Sequence, residues 1–129
     1  MNDLKIEATK YIPGVSFDSK KNVFDVRGDS YPENTAELYS PVVSWLEKYV
    51  EKLENGKDIT INMELEYFNS SSSQVLMDIF DILEDEARNG TIVVINWIYD
   101  EENEIALEHG ECFQEDVEAM TFNLVPKQL

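Results

Sequence analysis

The chain has 129 residues, of which 43% are hydrophobic and 11% aromatic, and this composition predicts one folded domain covering residues 1–129. Ten basic and 27 acidic residues give a formal net charge of −17, which disfavours nucleic acid and anionic membrane surfaces as partners. No segment is apolar over the roughly 20 residues that a membrane span needs, and the first residues lack the apolar run of a signal peptide. These features predict a cytoplasmic protein.

The first third of the chain predicts short strands. Residues 4–8 and 14–18 are extended candidates separated by Pro13–Gly14, and a polar turn at Ser19–Asn22 leads from the second into a further strand. This pattern is typical of antiparallel strands at the start of a sheet.

A helix is predicted next. Asn34 followed by Glu37 fits a capping box, and apolar residues recur at helical spacing as far as Asn55–Gly56, a helix stop. Pro41 lies inside the pattern, so the helix either kinks there or restarts, with Ser40 as a cap.

The remainder alternates strands and helices. Residues 58–68 alternate apolar and polar side chains, as in a strand with one buried face, and the helix after them ends at Asn89–Gly90. Residues 91–99 are almost continuously apolar, which predicts a strand covered on both faces.

An acidic third helix follows, in which Gly110 is a possible interruption. The last strand is predicted at residues 119–125, with residues 126–129 as a tail. The order of elements predicts an α/β fold with a mixed sheet of about five to six strands, packed by about three helices.

Motifs for catalysis or cofactor binding are absent from the sequence. It contains no G-x-S-x-G, no Walker A motif and no G-x-G-x-x-G. His109 is the single histidine and Cys112 the single cysteine, too few ligands for the usual zinc sites. We therefore predict a protein without enzymatic activity, metal or cofactor, in which Cys112 is a half-buried small hydrophobic residue.

Four consecutive serines precede the second helix, at positions 70–73. One interpretation is helix capping, because Ser71 with Gln74 fits the S-x-x-Q box. The other is reversible phosphorylation, because a phosphate at a helix start meets unpaired N–H groups and the positive end of the helix dipole. The residues alone do not decide between the two interpretations.

Three motifs carry a family resemblance: G-D-S-Y-P-E-N at residues 28–34, N-S-S-S-S-Q-V-L-M-D-I-F-D at 69–81 and W-I-Y-D at 97–100. In this order and spacing they resemble the SiaC family of bacterial STAS-like regulatory phosphoproteins. A strand, a hydroxyl-rich loop and an amphipathic helix are also the layout of the anti-sigma-factor antagonists. The resemblance extends over roughly residues 14–125 and implies a STAS-like domain.

The resemblance also implies a mechanism. A dedicated kinase would phosphorylate a hydroxyl residue, a PP2C-type phosphatase would remove the phosphate, and the unphosphorylated form would bind and activate a diguanylate cyclase that promotes biofilm formation. The position that matches the modified threonine of the family is Ser70, and Ser71 or Ser72 are the alternates.

We expect the partner-binding surface to surround the serines. Two runner-up hypotheses remain, a constitutive adaptor whose serines only cap the helix and a small serine hydrolase. The residues predicted to bind the partner are Tyr31, Glu33, Tyr67, Asn69, Asp78 and Asp81.

Overall fold

Six strands form one sheet in their chain order, with the first three antiparallel and the last four parallel. The computed structural model describes residues 3–53 and 57–128. The elements are β1 (Leu4–Ile6), β2 (Gly14–Asp18), β3 (Val23–Ser30), α1 (Thr35–Lys52), β4 (Asp58–Phe68), α2 (Ser70–Arg88), β5 (Ile92–Asp100), α3 (Glu104–Glu115) and β6 (Thr121–Lys127). The predicted mixed α/β sheet with three helices is confirmed.

The helices cover one face of the sheet. Each of the three β–α–β connections joins neighbouring parallel strands, and since such crossovers are right-handed, all three helices lie on the same side. The strand register aligns one fully buried row across the four parallel strands, formed by Phe24, Ile61, Ile95 and Phe122.

The opposite face is polar along its centre. The row next to the buried one is joined by side-chain hydrogen bonds from Asn62 to Asp25 (3.3 Å), Asn96 to Asn62 (3.0 Å) and Asn123 to Asn96 (3.1 Å). These groups bond to one another and stay at least partly accessible to water.

The prediction that the fifth strand is covered on both faces is wrong. In β5, Val93, Ile95 and Trp97 are buried, whereas Ile92 is 60% exposed and Val94 is only half-buried. The reason is topological, because a sheet whose strands follow in chain order sends every helix to the same face.

Helix α1 confirms its predicted start. The Asn34 side chain accepts a hydrogen bond from the Glu37 N–H at 3.1 Å. The helix is continuous through Pro41, so the restart at Ser40 is wrong. Burial of side chains on both sides of the proline, Leu38 before it and Leu46 after it, stabilises the uninterrupted helix. The predicted stop at Asn55–Gly56 lies outside the described residues.

Helix α3 is also continuous, through Gly110. A Cβ atom at this position would lie 2.5 Å from Trp97 Cδ1, so the glycine lets the helix approach the sheet closely. Cys112 is exposed, so its predicted half-burial is wrong. Pro126 and Lys127, predicted to be a tail, lie in β6, because an edge strand tolerates a proline without an N–H.

The last turns of α2 hold a buried carboxylate. Glu84 is 6% exposed and accepts hydrogen bonds from the backbone N–H groups of Glu118 (2.7 Å), Ala119 (2.9 Å) and Met120 (2.9 Å), with Arg88 at 3.4 Å. Burial acts to raise the pKa of Glu84, but these donors outweigh it and hold the pKa below its ordinary value. Glu84 therefore holds the residues that precede β6 against the last turns of α2.

Candidate functional site

The first turns of α1 and α2 meet at the carboxyl ends of β3 and β4. These strands are parallel neighbours whose last residues, Ser30 and Phe68, are paired. The Asn69 N–H donates to the Ser30 carbonyl at 3.0 Å, and the hydroxyls of Thr35 and Ser71 are hydrogen-bonded at 2.7 Å. The parallel pairing thus places the two family motifs side by side.

Asn69 caps α2, and the prediction that Ser71 is the cap with Gln74 is wrong. The Asn69 side-chain oxygen accepts hydrogen bonds from the Ser72 N–H at 2.9 Å and from the Ser71 hydroxyl at 3.2 Å. Asparagine is as good a cap as serine, so it starts the helix one residue before the serine run. The four serines, predicted to precede the helix, begin it instead, and Ser70 is its first residue.

Ser72 is fully buried in a chain of three hydroxyl groups. Ser30 Oγ donates to Ser72 Oγ at 2.9 Å, and Ser72 Oγ donates to the Ser30 carbonyl at 3.1 Å. The Tyr39 hydroxyl completes the chain by bonding to Ser30 Oγ, and burial raises the pKa of Tyr39. Each of the three hydroxyl groups donates one hydrogen bond, so the Ser72 side chain has a structural role in the fold.

The helical repeat of the sequence contained a signal for this burial. Ser72 precedes Leu76, Ile79 and Leu83 at the i+4, i+7 and i+11 positions of the buried stripe of α2. Ser30 and Tyr39, by contrast, were not identified from the sequence as parts of the site, because only the β3–β4 pairing places Ser30 beneath the serine run.

Ser70 and Ser71 are both exposed, but they differ in their contacts. The Ser71 hydroxyl bonds to Thr35 and Asn69. The Ser70 hydroxyl makes no hydrogen bond within residues 3–53 and 57–128 and faces solvent at the first position of the helix. The N–H groups of a first helical turn have no partner within the helix, so the local potential at Ser70 favours an anion.

Two predicted partner-binding tyrosines lie together beside this helix start. The rings of Tyr31 and Tyr67 meet edge to face with centroids 5.4 Å apart, and Tyr67 is 56% exposed. Tyr11 extends the cluster, with its ring 5.3 Å from that of Tyr31 and 53% exposed. Sequence reasoning missed Tyr11, because it lies in the connection between β1 and β2. Exposed, clustered aromatic rings are typical of protein-binding surfaces.

The other predicted partner-binding residues lie at different distances from Ser70. Asn69 adjoins it, and the exposed Glu33 lies in the segment between Tyr31 and α1. Asp78 and Asp81 are exposed on α2. A helix turns about 100° and rises about 1.5 Å per residue, so Asp81 lies within about 20° of Ser70 around the helix and about 16 Å along it, whereas Asp78 is turned about 80° away and lies about 12 Å along it.

Among the described residues, no three His, Cys, Asp or Glu side chains are grouped so that they could hold a metal ion. The His109 ring packs against Phe68 with centroids 4.7 Å apart. In the same part of the chain, no helix has the length and apolar character to span a membrane.

The model of the SiaC family regulatory phosphoproteins matches residues 6–127. The chain belongs to the SiaC family. A related uncharacterized protein from Pseudomonas aeruginosa strain UCBPP-PA14 is 36% identical to this SiaC family chain over 116 residues, which is 90% of each protein.

Two crystal structures from Pseudomonas aeruginosa resemble this SiaC family member closely. Apo-SiaC is 33% identical with a TM-score of 0.87, and the match covers 96% of this chain and all of that one. A chain in the complex of the diguanylate cyclase SiaD with its activator SiaC is also 33% identical, with a TM-score of 0.87, and the match covers 98% and 100% of the two chains.

Proposed function

We propose that this SiaC family protein is a non-catalytic, phosphorylation-controlled regulator that binds a diguanylate cyclase in its unphosphorylated form. The family contains regulatory phosphoproteins, and a chain of nearly the same fold comes from a complex of a cyclase with its activator. The observation that carries the proposal is the exposed Ser70 hydroxyl at the first position of α2, which bonds to none of the described residues and lies beside the exposed tyrosine cluster.

Ser70 is the proposed phosphorylation site among the four serines. The Ser72 hydroxyl is buried and bonded to Ser30, so a kinase could reach it only after the helix start opened. Ser71 would lose its hydrogen bonds to Thr35 and Asn69 on modification. Ser73 is partly buried. The Ser70 hydroxyl is exposed and has no hydrogen bond to a described residue that modification would break.

A phosphate at Ser70 would act mainly on binding. It brings a charge of about −1.5 to −2 to a position where helix N–H groups and the dipole accept an anion, so the fold tolerates it. The same charge and bulk lie beside Tyr67 and on the helix that carries Asp78 and Asp81. The phosphate would therefore release a partner that is bound to this surface.

The proposal includes two further enzymes, a dedicated protein kinase and a PP2C-type phosphatase, which both act on the serine start of α2. It also places the protein in the cytoplasm as a single STAS-like domain without a cofactor. Regulation of cyclic di-GMP synthesis, and hence of biofilm formation, would be the output.

Incubation with the cognate kinase, followed by intact-mass measurement, tests the modification. We expect a gain of about 80 Da, the mass of one phosphoryl group, in the wild type and in Ser71→Ala. Ser70→Ala should gain nothing. A wild type that stays unmodified would favour a constitutive adaptor, and a phosphate that persists in Ser70→Ala would move the site to another residue.

Titration of the cognate cyclase tests the switch. Ser70→Asp should weaken binding at least about tenfold, because the charge lies within the proposed partner surface, whereas Ser70→Ala should bind like the wild type. Ser71→Asp is the matched control for added charge. If Ser70→Asp and the wild type bound equally well, phosphorylation would not control docking.

A further inference from the structure

A groove of about 840 Å³ lies between β1 and the first two turns of α1. Leu4 and Ile6 of β1 line one side of it, the cap residue Asn34 with Glu37, Leu38 and Pro41 of α1 line the other, and Tyr11 and Tyr31 also contribute to its lining. We call this feature the edge groove. Through Tyr31 it adjoins the tyrosine cluster beside Ser70.

The edge groove exists because the sheet extends beyond its helices. Helix α1 covers β2 and β3, where the Trp45 ring packs 5.2 Å from Phe17 and 5.4 Å from Phe24. Leu4 of β1 pairs with Phe17, so both side chains point to the helix side. Phe17 is 4% exposed but Leu4 is only half-buried, so the outermost strand has room for one more helix on this face.

The α1 side of the edge groove has the spacing of a helix-packing surface. Asn34, Glu37, Leu38 and Pro41 line it at the i, i+3, i+4 and i+7 positions, which form one stripe of a helix. With the apolar side chains of β1 opposite, this stripe suits the apolar face of a second helix.

The charge of the edge groove selects a basic partner. Glu33 and Glu37 both line it and are exposed, while no lysine or arginine of the described residues does. Pro41 has no N–H, so the Glu37 carbonyl lacks its usual helical donor. Lys10 lies 5.8 Å from the Tyr11 ring centre but outside the lining.

We propose that the edge groove binds a basic amphipathic helix of the protein partner, whose apolar face packs on β1 and whose Lys or Arg side chains meet Glu33 and Glu37. This inference rests on the proposed partner-binding function. A second copy of the chain fits less well, because two proteins of net charge −17 repel each other at an acidic rim.

Two model peptides test the occupant with the unmodified full chain. Each has about 18 residues with leucines on one helical face, and the other face carries lysines in one peptide and glutamates in its partner. We expect the lysine peptide to bind saturably and to shift the amide NMR signals of residues 4–12 and 31–41. The glutamate peptide should bind at least about tenfold more weakly.

Matched charge variants separate the edge groove from the general acidity of the protein. Glu33→Gln/Glu37→Gln and Glu108→Gln/Glu111→Gln each remove two exposed charges, the second pair from α3. The first pair should weaken binding of the lysine peptide at least about fivefold, and the second pair should leave that binding unchanged. Tyr11→Ala, which removes a half-exposed ring, should also weaken binding of the lysine peptide.

The inference would be overturned by equal weakening by both pairs, by equal binding of both peptides, or by signal shifts away from the edge groove. Shifts of the groove signals with protein concentration alone would assign it to a second copy instead. Neither kinase nor cyclase is present, so a failure here leaves the regulatory proposal standing. Conversely, loss of the phosphorylation switch would leave peptide binding measurable.

Discussion

The two ends of α2 differ in the burial and hydrogen bonding of their polar side chains. At the start, the Ser70 hydroxyl faces solvent and bonds to no described residue, while near the far end the Glu84 carboxylate is buried and bonded to three backbone N–H groups. The buried group is saturated by the fold, so changing it should alter stability. The exposed group has unused bonding capacity, so changing it should alter binding.

Replacement of the buried carboxylate should have the largest effect on the fold. Glu84→Ala leaves the N–H groups of residues 118–120 without an acceptor, and we expect the free energy of unfolding to fall by about 3 kcal/mol. Urea denaturation measures this, with Asp85→Ala, an exposed neighbour, as a control that should stay within about 0.5 kcal/mol. Equal losses in both variants would remove the contrast between the two ends.

Protonation of Glu84 should have a smaller effect, because a neutral carboxyl still accepts hydrogen bonds. Its folded-state pKa lies below the ordinary value of 4.5, so its stabilisation is complete above that value and is lost as the pH falls through the folded pKa. Urea denaturation should show the stability advantage of the wild type over Glu84→Gln shrinking as the pH falls below about 4.5. A constant difference would contradict the lowered pKa.

Within the serine run, the comparison can be made between neighbours. Ser72→Ala leaves the buried Ser30 hydroxyl without its acceptor, and we expect a loss of about 1 kcal/mol of unfolding free energy. Ser70→Ala, at an exposed position, should stay within about 0.5 kcal/mol. Thermal denaturation of the two variants side by side would show whether burial separates them, and a reversed order would disprove the assignment.

The smallest expected effect is a gain in the free energy of unfolding. Ser70→Asp places a carboxylate at the positive end of the α2 dipole, which should stabilise the protein by about 0.3–1 kcal/mol at low ionic strength. Denaturation in low and high salt measures it, since salt screens the gain while Ser70→Asn shows none. A clear loss of stability would mean that a phosphate at Ser70 strains the fold.

Much of the fold was predictable because local patterns coincide with the final contacts. The alternation in β4, the Asn34 cap of α1 and the Asn89–Gly90 end of α2 all appear where the sequence indicates them. Family motifs also indicated a candidate site at the start of α2, which stays a prediction. The errors arose where a local signal had a rival, as when Asn69 caps α2 in place of Ser71.

The sequence by itself determined the type and order of the elements, because hydrophobic periodicity and capping depend on residues close along the chain. The tertiary structure alone decided which face of the sheet is covered, which serine is buried, and that Tyr11 and β1 border the site. The physical reason is that these features depend on strand pairing and helix packing between residues far apart in the chain. Ser72 shows this directly, because its burial depends on a hydrogen bond to Ser30.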